Sequence, residues 1–251
     1  MQGIQIFAHS VRLVLNHLDV ALRVSLVLYL VQISVMVAQY LNPPRIERIN
    51  GVDVALLDPG PAILIALLSL LATVASLWIA VAWHRFVLTG EQPRGWLPEW
   101  QGGRMLGYLG RSLLIGIIVV LAVAAASIPL MMLMAVMPGV VQSFLPFAMV
   151  ALGSVIIFRL GVMLPAGTID RKLTLRQAWQ ATSGQTDTIL VLALVAAGAA
   201  VVVQIPTLVS GDPGSLISLV YSIAVNWFVT MIGVSMLTTL YGHFVEGRAI
   251  D

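Results

Sequence analysis

Forty-seven consecutive residues, Ser112–Phe158, carry no Asp, Glu, Lys or Arg. A helix needs about 20 apolar residues to cross the hydrocarbon core of a bilayer. This run is therefore long enough for two crossings. "MPG" at 137–139 divides it, because Pro and Gly end one helix and permit a tight turn. Other uncharged stretches cover Val24–Pro44, Pro59–Trp83, Thr188–Gly211 and Pro213–Val245. Only 10% of the 251 residues are charged, against about 25% in soluble domains. Too few charges remain to clothe a soluble fold. A transmembrane β-barrel would show segments of about ten alternating residues, and these runs are continuous. The fold class expected is an all-α membrane protein.

The charges place six spans, near 20–41, 59–83, 110–136, 140–164, 188–211 and within 213–245. With six, both termini share a side with the second and fourth connections. That side collects eleven of the thirteen Lys and Arg residues, leaving Arg45 and Arg48 on the other. Positively charged connections stay cytoplasmic. Both termini are thus expected in the cytoplasm, at a bacterial inner membrane. The first 23 residues are amphipathic and bear His9, Arg12, His17 and Asp19, unlike a secretory signal.

Short amphipathic segments precede the odd spans. In "TLRQAWQATSG" (174–184), Leu175, Ala178, Trp179 and Thr182 share one helical face. Thr174 is the expected cap and Gly184 the expected stop. Phe7, Val11, Val14 and Leu18 form a similar face, and "GRMLGYLGRS" (103–112) reads alike with more glycine. Helices of this kind lie in the membrane interface.

The parts recur in order: interfacial helix, span, outside turn, span, cytoplasmic exit. Units of about 1–91, 92–170 and 171–251 make one membrane domain of three tandem hairpins. Arg23 precedes Pro43 by 20 residues, Arg111 precedes Pro129 by 18, and Asp187 precedes Pro206 by 19. The exits are "HRFVLTGE" (84–91), "FRLGVMLPAG" (158–167) and "GHFVEGR" (242–248). Residues 42–59 lengthen the first outside loop, and Asn50-Gly51 there is a hairpin-turn signal. Repeats of two spans point the same way, so their axis runs along the membrane normal.

Trp83, His84, Arg85, Trp179 and Arg176 are read as interface anchors, since Trp and Arg favour that depth. Arg159 lies deeper and is a candidate substrate or lipid contact. It could also snorkel, or pair with Glu91, Asp170 or Asp187. Gln32, Gln204 and Asn226 are mid-span polar residues, suited to interhelical packing or to one cavity shared with Arg159. Ser222, Asn226 and Thr230 share a face of the last span, with Gly233 nearby.

No cysteine is present, which removes thiolate catalysis and Cys-ligated metals. HExxH and GxSxG are absent, and His9, His17, His84 and His243 are scattered. No catalytic residue, metal site or cofactor is expected. A net charge of +2 without a basic surface does not suit nucleic acid. The expected partners are the bilayer, anionic lipid headgroups or another membrane protein.

"LPAGTIDRKLTLRQAWQATSGQ" (164–185) and "AWHRFVLTGE" (82–91) carry a resemblance. The chain resembles a group of bacterial polytopic membrane proteins similar to the membrane domain attached to some glycerophosphodiester phosphodiesterases. The resemblance implies a membrane module. The soluble catalytic barrel of those enzymes has no counterpart here, so no activity carries over. The function expected is non-enzymatic, organising the membrane or a partner complex, with a transporter of small solutes or lipids as the alternative.

Overall fold

The computed structural model describes residues 2–49, 51–206 and 214–250. Helices dominate: α1 (Gln2–Asn16), α2 (Leu18–Leu41), α3 (Pro59–Thr89), α4 (Gly102–Val136), α5 (Pro138–Leu160), α6 (Met163–Thr168), α7 (Leu175–Ala181), α8 (Thr186–Val202) and α9 (Leu216–Phe244). Five stretches are long and apolar enough to cross a membrane: Leu18–Leu41, Pro59–Thr89, Gly102–Leu133, Phe147–Thr168 and Leu216–Phe244. The pair α7 and α8 brings the number to as many as six, although the two meet at a bend of 93°. The chain is a helical membrane protein.

The first outside loop folds as a hairpin. β1 (Arg45–Ile49) pairs antiparallel with β2 (Val52–Leu56), Ile49 opposite Val52. That register leaves a two-residue turn, and Gly51 has φ +82°, the left-handed conformation such turns require. Asn50 itself lies outside the described residues.

Local chemistry sets the limits of α7. The Thr174 hydroxyl accepts from the Gln177 backbone N–H, and the Gln177 side chain accepts from the Thr174 backbone N–H. This reciprocal cap satisfies donors that the first helical turn leaves open. Gly184, with φ +81°, follows the end of the helix.

Two expectations need correction. The segment 103–112 is not a separate interfacial helix but the first turns of α4. No proline interrupts the chain from Gly102 to Ile128, and glycine alone does not stop a helix whose neighbours propagate it. Helix α1 does not lie free on a membrane surface. It packs on both α8 and α9, and its buried residues are Gly3, Ile6, Ser10 and Val14. The face is turned from the expected one because Gly3 and Ser10 add nothing to an apolar count yet allow close approach. A Cβ on Gly3 would stand 2.5 Å from the Thr188 carbonyl oxygen and 2.7 Å from the Leu192 nitrogen. Among the described residues α8 and α9 make little direct contact. The Tyr221 hydroxyl donates to the Val203 carbonyl at 2.9 Å, joining them away from α1.

The core sits toward one end of the bundle, where α1, α6, α7 and the C-terminal residues gather. This is called the basic end below. One cluster combines Ile6, Tyr108, Phe158, Leu164, Leu192 and Leu240, and a second combines Val24, Tyr29, Ile79, Trp83, Trp227 and Met231. Further along α3 and α4, Ile63, Leu67 and Leu70, and Ile117, Val120 and Leu121, are exposed. In water such surfaces would be costly. Facing lipid, they are not, because acyl chains are as apolar as leucine.

Candidate functional site at the basic end

The three exits meet here. Helix α3 carries His84 and Arg85 in its last two turns, α5 carries Arg159 in its last turn, and α9 carries His243 in its last turn. Each exit is bonded to the helix that opens the following stretch of chain, and the last is bonded back to the first helix.

His84 is fully enclosed. Its Nδ1 lies 2.7 Å from Thr238 Oγ1 and its Nε2 lies 3.3 Å from the Tyr108 hydroxyl. The Thr238 hydroxyl hydrogen is directed to the Val234 carbonyl, so Oγ1 is left to accept. These roles assign the tautomer: Nδ1–H donates to Thr238, and Nε2 accepts from Tyr108. The His84 and Tyr108 rings also stack, with centroids 5.7 Å apart. One side chain thus joins α3, α4 and α9.

Arg159 is buried between α5 and the α7–α8 bend. Its guanidinium donates to the Thr182 carbonyl at 3.3 Å and to Thr186 Oγ1 at 2.6 Å. Its planar face lies over the Trp179 ring, 4.6 Å from the centroid, a cation–π arrangement. None of Glu91, Asp170 or Asp187 pairs with it. Glu91 is taken by Arg85 and Asp170 by Arg104.

His243 closes the circle. The Gln2 amide nitrogen donates to its Nε2 at 2.7 Å, which leaves Nδ1–H to donate to the Arg248 carbonyl at 2.9 Å. Arg248 in turn donates to the Val87 and Leu88 carbonyls, at 3.3 and 3.0 Å. The end of α9 is thereby tied to the end of α3.

Indole and hydroxyl groups stitch the second layer. Trp83 Nε1 donates to Ser235 Oγ and Trp227 Nε1 to Ser25 Oγ, each at 2.8 Å. The Ser10 hydroxyl lies 3.1 Å from Thr239 Oγ1. These partners were not singled out from the sequence. A signal was present in Ser235, Thr238 and Thr239, which share one face of α9.

The anchor assignment of Trp83 and His84 is therefore corrected. Both side chains are 0% exposed and contact neither lipid nor water. Their polar atoms found partners on neighbouring helices, and that drew the rings inward. Arg85 is also turned inward, donating to the Thr168 carbonyl at 3.1 Å and pairing with Glu91. Trp179 and Arg176 remain exposed.

Gln32 and Asn226 come together, with Ser69, Thr73 and Ser76, around a shallow cleft of about 230 Å³ between α2, α3 and α9. Gln32 Nε2 donates to Ser76 Oγ at 2.8 Å. Arg159 is held at the α7–α8 bend instead, and Gln204 is exposed beyond the end of α8. Among the described residues, the cleft that holds Gln32 and Asn226 includes neither Arg159 nor Gln204. The expected stripe on α9 is also offset: Trp227, Met231 and Ser235 are buried, whereas Asn226 is exposed. A Cβ on Gly233 would meet open space.

A salt bridge flanks this end. Arg104 Nη2 lies 2.6 Å from Asp170 Oδ2, and Arg104 also bonds the Gln101 side chain. Asp170 follows α6 with φ +61°, a conformation that aspartate tolerates better than bulkier residues. The hydrogen bond from Arg104 holds the Asp170 carboxyl below its usual pKa. Among the described residues, no three His, Asp or Glu side chains gather as a metal site would require.

Compared with protein-family models, with curated proteins and with solved structures, the chain finds no match.

Proposed function

We propose that the chain is a six-span protein of a bacterial inner membrane, built of three tandem hairpins with both termini cytoplasmic. We infer that it acts without catalysis, as a scaffold that organises surrounding lipid or a partner membrane protein. The pairs α2/α3, α4/α5 and α8/α9 are the hairpins of this reading.

One observation carries it: the cyclic hand-over at the basic end. The first exit bonds the start of the second unit through His84 and Tyr108. The second bonds the start of the third through Arg159, Trp179 and Thr182. The third bonds the start of the first through His243 and Gln2. A ring of equivalent contacts suits parallel repeats around an axis along the membrane normal. The polar groups that make these three contacts are bonded internally and His84 is enclosed, which supports a role without catalysis. Beyond the ring, exposed apolar surfaces on α3 and α4 are available to lipid or a partner. The resemblance to a membrane module that accompanies catalytic domains agrees with an accessory role.

The cleft at Gln32 and Asn226 favours a second reading, a permease for a small polar solute. Thermal stability of the purified protein, screened against classes of small solutes, separates the two. The scaffold reading expects no saturable stabilisation. Saturable stabilisation by a solute, abolished by Gln32→Ala together with Asn226→Ala, would replace it with the permease.

A further inference from the structure

A cavity of about 520 Å³ opens between the start of α4 and the α6–α7 connection. Arg104, Arg111, Lys172 and Asp170 supply its charged groups. Three cations against one carboxylate leave +2. Arg104 and Asp170 neutralise each other, so the excess charge belongs to Arg111 and Lys172. Among the described residues neither finds a hydrogen-bond acceptor or an anionic partner.

Arg111 is the unusual member. It is only partly exposed, and the uncharged run Ser112–Phe158 begins directly after it. Its guanidinium rests on Gly167, where a Cβ would overlap the Nη1 and Cζ atoms. The seat is made of backbone, and no carboxylate comes with it. A guanidinium keeps its charge at any physiological pH and presents a planar fork of donors suited to phosphate oxygens. Among the described residues no anionic side chain shares this seat, so a bound anion would supply the charged partner that the protein does not. Trp100 completes the wall, its ring edge-on to Trp78 at 4.7 Å, as tryptophan does at headgroup depth.

We propose that this cavity binds a phosphate group, carried by an anionic lipid headgroup or by a small phosphorylated solute. Arg111 supplies the bidentate fork and Lys172 a mobile point charge. Arg104 is committed to Asp170, and this pairing keeps the carboxylate from repelling the ligand. The inference rests on the reading of the basic end as lying at the headgroup layer. The binding assay below works in detergent and needs no orientation, so it fails or succeeds independently of topology.

The full chain in an uncharged detergent is titrated with dioctanoyl phosphatidic acid, with dioctanoylglycerol as the phosphate-free control and inorganic phosphate as competitor. Tryptophan fluorescence and calorimetry report binding. Saturable binding of phosphatidic acid, absent for dioctanoylglycerol, is expected. Arg111→Gln should weaken it by about tenfold or more, the loss of charge-assisted bonds, and Arg176→Gln should not. Lys172→Glu, at an exposed position that does not challenge folding, should weaken it by a similar factor. Displacement by inorganic phosphate identifies a site for free phosphate compounds, and binding without displacement identifies a lipid headgroup site. Absence of saturable binding, or binding indifferent to Lys172→Glu and to Arg111→Gln, would overturn the proposal.

Discussion

Arg159 shows how a charged side chain is tolerated near a bilayer. Its donors face a carbonyl and a hydroxyl, its face covers an indole, and hydrogen bonds to charged groups contribute about 1.5–3 kcal/mol. Arg159→Ala removes these together with the cation–π contact. A loss of roughly 2–3 kcal/mol of stability is expected, read as a lower midpoint of thermal unfolding in detergent, with Arg159→Lys intermediate. An unchanged midpoint would show that the bonds are replaced by water at no cost. Asp170 gives a pH test. Its carboxyl titrates below the ordinary value of 3.8 because Arg104 bonds the ionised form. A depressed pKa means that the contribution is present above the unfolded value and is lost as pH falls through the folded one. The stability advantage of wild type over Asp170→Asn should therefore be constant above about pH 5 and shrink as the pH falls through 3.8 and below. Asp170 is exposed, so the effect is small. A difference that does not vary between pH 6 and 3 would contradict the pairing.

Among the elements, α1 departs furthest from what its residues suggest. It is short, amphipathic and N-terminal, yet it is held between α8 and α9 by Gly3, Ile6, Ser10 and Val14. Gly3→Ala forces its backbone away from α8. Overpacking of this kind costs about 1–3 kcal/mol. Gly198→Ala, where a Cβ would meet open space, should be neutral or slightly stabilising, since alanine is the better helix former. Equal unfolding midpoints for the two variants would show that α1 is not seated there. Five of the apolar spans, the cap at Thr174, the stop at Gly184 and the hairpin of β1 and β2 were legible in the sequence because their causes are local: absence of charge, a side chain reaching its own helix, a turn needing φ > 0. The face of α1 was not, since glycine and serine carry no apolar signal. The same limit hid the joints around His84. Thr238 and Ser235 are neutral residues inside an apolar run and Tyr108 sits in the amphipathic start of α4, and only helix packing shows which way they point. Trp83 and His84 looked like anchors because their distance along the chain from the last apolar residue says nothing about direction. Arg159 stood out because a charge beside such runs is conspicuous in any packing.

At the scale of the whole molecule, the basic end behaves as one interlocked layer, from which apolar helices extend toward the hairpin of β1 and β2. Order should follow that gradient. Hydrogen exchange protection is expected to be highest where α3, α6 and α9 meet and lower toward the far ends of α3 and α4. The proposed six-span ring makes a sharper demand, because residues 2 and 243 must then lie on the same side of the membrane and in contact. The chain has no cysteine, so Gln2→Cys with His243→Cys introduces the sole thiol pair. The decisive measurement is treatment of intact membranes with a short bis-maleimide, followed by electrophoresis. Gln32→Cys with Ser76→Cys, two neighbours within one hairpin, serves as the positive control. The expected result is an intramolecular cross-link between positions 2 and 243, lost when Arg159→Ala and Gly3→Ala are added to loosen the ring. A control pair that links while positions 2 and 243 do not would contradict the closed ring.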